Sequence, residues 1–216
     1  MTAISFDCEA LKPSQLRYRS ECGFCLAELL IAAMILIPVS LAVFHMLDSA
    51  QRAALYQSEV HTVLDSTRSA MDTITRILRQ SGNDPAGLGI DGVTIISRSA
   101  IRVRADLTGS LGPGNPDKGD PDGDTNDSGE DVVIRYNPDT QSIELVPAGG
   151  FAQTIASNIS SLSILCLDEA GSIADAGSAA REVWIEVTGA GSVPEPSTGR
   201  LFRLPLTGRV LLASRG

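Results

Sequence analysis

Aromatic side chains are scarce: Phe, Trp and Tyr make up 4% of the 216 residues, with a single Trp. Histidine is scarcer still. The only two, His45 and His61, fall in the helical first part of the chain. The strand-rich remainder therefore has no imidazole to act as a general base, and it carries no nucleophile motif. An enzyme is not expected. Of the four cysteines, Cys8, Cys22, Cys25 and Cys166, two form Cys22-Gly-Phe-Cys25. That C-x-x-C runs into an apolar segment rather than a soluble βαβ unit, so a redox pair is not expected. Neither cysteine follows lipobox-like residues, and Cys25 and Cys166 are too far apart to pair. A basic excess is also lacking: 17 Lys and Arg face 26 Asp and Glu, a net charge of −9. Phosphate backbones attract basic faces, so direct nucleic-acid binding is not expected.

What the chain does have is one long apolar run. From Phe24 to Leu47 the only ionisable side chains are Cys25, Glu28 and His45. As a helix this run rises about 36 Å, enough to cross a hydrocarbon core. A carboxylate near its start costs about 2.5–3.5 kcal/mol to insert, which makes Glu28 a functional candidate. Before it stands Gly23, preceded by a polar segment holding Lys12, Arg17 and Arg19. A secretory signal loses its apolar part; here the polar segment reads as the part removed. The basic flank places the N-terminus in the cytoplasm and the bulk of the chain outside it.

Gly23-Phe24-Cys25-Leu26-Ala27-Glu28 ahead of an apolar helix resembles the cleavage motif of type IV prepilins and type II secretion pseudopilins. The resemblance implies a leader over 1–23, cut between Gly23 and Phe24 by a prepilin peptidase that also methylates the new Phe24 terminus. It implies that Glu28 docks the subunit into a filament, through a neighbour's terminal amine. Cys25 stands where the family usually has Thr or Ser. The alternative is a plain membrane anchor with an interfacial glutamate.

Pro38 removes a backbone donor within the run and is expected to kink or loosen the helix near Met34. Past the membrane segment (24–47), Val60, Val63, Leu64, Thr67, Met71, Ile74 and Leu78 recur at three- and four-residue steps. The helix thus continues over 48–80 with one apolar stripe. Arg68, Arg76 and Arg79 suit its later turns, and Ser81-Gly82-Asn83-Asp84-Pro85 ends it. Gly87-Leu-Gly89-Ile-Asp-Gly92 satisfies G-x-G-x-x-G, but it follows a helix and precedes a strand, the reverse of a dinucleotide fingerprint. It reads as a turn. Strands are expected at Val93–Ser97, Ala100–Ala105, Asp131–Tyr136, Ser142–Val146, Ile159–Leu167, Glu182–Thr188 and Leu201–Leu212, the last broken at Pro205. Asn137–Gln141 reads as a hairpin turn and Gly189–Gly199 as a loop. The expected fold is α+β: a long N-terminal helix on an antiparallel sheet, in the pilin manner, with a β-rich domain over 81–216.

This layout, with Asp131-Val-Val-Ile-Arg-Tyr136 and a late Val183-Trp-Ile-Glu-Val187 strand, is similar to PilW-like minor pilins and to J-type minor pseudopilins. The resemblance implies a single-pass inner-membrane protein with a periplasmic domain that enters a pilus or pseudopilus. Its partners would be the peptidase, other pilins or pseudopilins, the inner-membrane assembly platform and membrane lipid.

One further segment stands apart. The acidic loop over 114–131 holds Asp117, Asp120, Asp122, Asp124, Asp127, Glu130 and Asp131 against one base, Lys118. Asp120, Asp122 and Asp124 alternate, and Glu130 is placed to complete an oxygen shell of the kind Ca²⁺ takes. Thr125 and Asp131 stand where an EF-hand has Gly and Glu, so it is not one. The other reading is a solvated run of like charges. A membrane-tethered Ca²⁺-binding adhesion module that never polymerises is the alternative function.

Overall fold

A computed structural model describes residues 25–87, 89–109, 120–174 and 179–212. The architecture is α+β. One long helix, α1 (Leu26–Gln80), is followed by eight strands: β1 (Val93–Ser97), β2 (Ala100–Arg104), β3 (Asp131–Asn137), β4 (Ser142–Pro147), β5 (Gln153–Ala156), β6 (Ile159–Leu167), β7 (Glu182–Pro194) and β8 (Leu201–Leu211). All ladders between them are antiparallel. They form two sheets rather than the expected one, ordered β1-β2-β3-β4-β5 and β6-β7-β8. The chain divides into two compact units, with the boundary inside α1 between Asp48 and Ser49.

In the first unit, Leu29, Leu30, Ile31, Ile35, Leu36 and Ile37 are among many exposed apolar side chains of α1. The helix is long and apolar enough to cross a membrane. It continues through Pro38 without a break in helical assignment. Lost donors inside membrane helices are tolerated in this way.

In the second unit, α1 buries Val63, Thr67, Met71, Ile74 and Leu78 of the expected stripe, with Ala70 added, while Val60 and Leu64 are only half-buried. The shared core joins these to Ile101, Val103, Ile134 and Ile143 of one sheet and to Ile159, Val183, Ile185 and Val187 of the other. Thr67 is fully buried, and its hydroxyl donates to the Val63 carbonyl at 2.7 Å, so it enters the core satisfied. The helix packs tightly on β7 and β8. A Cβ added to Gly189 would stand 2.4 Å from Thr67 Oγ1 and 2.6 Å from Val63 Cγ1, and one on Gly208 would stand 2.7 Å from Met71 Sδ.

That packing corrects the expected loop over Gly189–Gly199. β7 runs on to Pro194 and pairs with β8 as far as Pro194↔Leu201. Its glycines mark a strand beneath a helix, where a backbone approaches closely, and not a turn. β8 is likewise unbroken at Pro205, which pairs with Thr188. Because β8 lies at a sheet edge, it is a strand that can hold a proline. β5 was not expected. It is a short edge strand with only Ala156 buried, and it leaves no apolar alternation to read.

A carboxylate latches α1 to the end of β7. Glu59 Oε1 accepts the Ser192 backbone N–H at 2.7 Å and the Ser192 hydroxyl at 2.8 Å. The Ser192 amide chiefly, then its hydroxyl and the Val193 amide, hold the Glu59 pKa below its ordinary value of 4.5. A depressed carboxyl pKa contributes stability that is present above the unfolded pKa and lost as pH falls through the folded one. Amide exchange at Ser192 should therefore quicken as pH drops below about 4.5 beyond the intrinsic pH effect. In Glu59→Gln that extra acid sensitivity should be absent.

Candidate functional site

Two groups of side chains stand out. The first is the start of α1. Cys25 occupies the N-cap position, where its carbonyl accepts the backbone N–H groups of Glu28 at 2.9 Å and Leu29 at 3.2 Å. Glu28, three residues on, turns back so that Oε2 accepts the Cys25 N–H at 3.3 Å. This is the reaching-back half of a capping box, and a carboxylate in the first turn also suits the positive end of the helix. Glu28 is thus held at the helix start, next to the chain's own backbone at Cys25. The other two residues of the expected processing site, Gly23 and Phe24, lie outside the described residues. Cys25 is an exposed free thiol, whereas Cys166 is buried in β6, where desolvation pushes its pKa up to about 11. Such a thiol is unreactive.

The second group is built by the end of α1 and the β2–β3 connection. Gly82, at a φ of 70°, closes the helix in the left-handed conformation that glycine tolerates, and its N–H donates to the Arg104 carbonyl at 2.9 Å. Asn83 and Asp106 are joined through their backbones, Asp106 N–H to the Asn83 carbonyl at 2.9 Å, and the Asn83 side chain also donates to the Asp106 carbonyl. The Asp106 residue, fully buried, then anchors the acidic loop. Its Oδ1 accepts the Asp122 N–H at 3.2 Å and its Oδ2 the Gly123 N–H at 2.9 Å.

Glu130 closes the loop from the other side. It is 2% exposed, and its Oε1 accepts the Leu107 N–H at 2.8 Å, the Thr108 N–H at 2.7 Å and the Thr108 hydroxyl at 3.3 Å. Asp131 is taken up elsewhere, in an ion pair with Arg102 whose Nε lies 2.6 Å from Oδ1. Desolvation first, then the charges of Asp122, Glu130, Asp124 and Asp106, raise the Asp127 pKa.

Of the four residues expected to converge, Asp122 and Asp124 are exposed and Glu130 is buried. Asp120 is exposed and is not among the charges that act on Asp127. Asp127 was visible in the acidic run. Asp106 lies outside that run, and only the β2–β3 register, in which Arg104 faces Asp131, brings it to the loop. Asp124 Oδ1 accepts the Asn126 N–H at 2.8 Å and Asp122 Oδ1 the Asp124 N–H at 3.2 Å, so the loop is also braced locally. Among the described residues, no three His, Cys, Asp or Glu side chains are already gathered as a metal site. In comparisons with known proteins, no family model and no curated protein matches this chain.

Proposed function

We propose that this protein is a minor subunit of a type IV pilus or a related pseudopilus, made as a precursor with a leader over 1–23. The observation that carries the reading is Glu28: a lone carboxylate in the first turn of a helix whose following turns expose apolar side chains. In a membrane or a filament that carboxylate needs a cationic partner, because an unpaired buried charge is strongly unfavourable. Cleavage after Gly23 would create an amine at Phe24, and the amine of a neighbouring subunit is that partner. The helix start then serves assembly, while the α+β unit beyond Ser49 faces the periplasm and meets other subunits. On this reading the N-terminus begins in the cytoplasm, and insertion precedes cleavage.

The test is Gly23→Val. A branched residue beside the scissile bond blocks the peptidase, so the precursor should keep its full length. It should stay in the inner membrane and be missing from sheared filaments. If wild type itself is absent from sheared filaments, the assembly reading fails. The protein would then be a tethered module that never polymerises.

A further inference from the structure

Asn126-Asp127-Ser128 and Asn158-Ile159-Ser160 both have the form Asn-x-Ser, with no proline between. That triplet is the acceptor pattern of N-glycosylation, whose transferase needs a hydroxyl two residues beyond the asparagine. The fold separates the two. Asn158 is half-buried where β5 gives way to β6, and its carbonyl accepts the Ala190 N–H at 2.8 Å. Ile159 is fully buried, and the Ser160 hydroxyl donates to the Thr188 carbonyl at 3.1 Å. Reaching this triplet would mean parting β6 from β7.

Asn126 and Ser128 are both exposed. Asn126 engages only its backbone N–H, which donates to Asp124 Oδ1 at 2.8 Å, so its side-chain amide is free among the described residues. The chain then turns, with Gly129 at a φ of 96° and the Glu130 N–H on the Asp127 carbonyl at 3.2 Å. Asp106 pins the loop before the triplet, through Asp122 and Gly123, and Glu130 pins it after, through Leu107 and Thr108. The triplet is thus presented on a loop held at both sides. Two residues before Asn126 stands the exposed carboxylate of Asp124; Ala156 has that place before Asn158.

We infer that Asn126 is an N-glycan acceptor, served by a transferase that draws on an oligosaccharide carried by a lipid diphosphate. Asn126 Nδ2 forms a bond to C1 of the first sugar as the C1–O bond to phosphate breaks. The lipid diphosphate leaves with the electron pair, and the amide proton passes to a base of the transferase. Ser128 supplies the hydroxyl that the transferase binds, and Asp124 an anionic group for a cationic one to hold. The inference rests on the outward placement proposed for this unit, where such transfer takes place.

The test is peptide mapping of the full chain purified from its native membrane. Trypsin releases residues 119–135, in which Asn126 is the one asparagine. This peptide should gain the mass of whole sugar residues, and fragmentation should map them to Asn126. Asn126→Gln and Ser128→Ala should each lose the gain entirely with unchanged melting points, since neither side chain holds the fold. Asp124→Asn should cut the modified fraction about tenfold, the loss of a charge-assisted hydrogen bond. Asn158→Gln should keep the full gain. A bare peptide from wild type, or a sugar mapped to Thr125 or Ser128, would overturn the acceptor. The N-terminus read from the same sample judges the assembly reading separately, so the two can fail independently.

Discussion

Glu28→Ala should accumulate in the inner membrane at least as well as wild type and yet be nearly absent from sheared filaments. Removing the carboxylate lifts an insertion cost of about 2.5–3.5 kcal/mol, so delivery to the membrane does not suffer. Assembly does. In a filament the variant leaves a neighbour's terminal amine without its partner, and breaking a buried pair in this way costs about 3–5 kcal/mol. At ~1.4 kcal/mol per tenfold, incorporation should fall by about a hundredfold or more. Within one chain the same carboxylate accepts only the Cys25 N–H, at 3.3 Å and exposed. The loss of that cap contributes about 1 kcal/mol at most and frays a single turn. Immunoblots of membrane and sheared fractions separate the two effects. Equal incorporation of Glu28→Ala and wild type would remove the pairing role.

Gly92→Ala should be the most damaging single methyl in the second unit. The added Cβ would stand 2.4 Å from Gly82 N, 2.6 Å from Gly82 Cα and 2.9 Å from the Ser81 carbonyl carbon. All three are backbone atoms, so no side chain can swing aside. Relief requires the end of α1 to lift off the start of β1, and with it the Gly82-to-Arg104 and Arg104-to-Gly92 backbone hydrogen bonds, at 2.9 and 2.8 Å. Overpacking typically costs about 1–3 kcal/mol where side chains can yield. Here the cost should be about 3 kcal/mol or more. Gly171→Ala is the control: its φ of 78° is strained for alanine, but nothing lies within 4 Å. It should lose only about 1–2 kcal/mol. Urea midpoints of the full-length variants measure both.

Much of this fold is legible in the residues. The stripe from Val63 to Leu78 and the Ser81–Pro85 punctuation define where α1 packs and where it ends. The hairpin at Asn137–Gln141 is equally plain, and Gln141 takes the positive φ, 48°, that such a turn asks of one of its residues. The two-sheet arrangement was not legible. Nothing in the strands says that β5 and β6, separated by Ser157 and Asn158, belong to different ladders; Asn158 turns between them at a φ of 59°. Glycine misled in one place only. At Gly189 and Gly191 it signals contact with Val63, Thr67 and Glu59 of the helix, and the residues nearby in sequence carry no sign of that. The acidic loop shows the same limit. Local alternation singled out Asp120, Asp122 and Asp124, while the anchoring of the loop by Asp106 was not legible, because strand register operates across more than twenty residues of chain while spacing operates within a few.

The assembly reading stands most directly on one bond, that between Gly23 and Phe24. The measurement is the intact mass and N-terminal fragment spectrum of the protein purified from its native membrane. The account predicts a chain that begins at Phe24 and carries one methyl group on its amine. A mature protein that still holds residues 1–23 would contradict it.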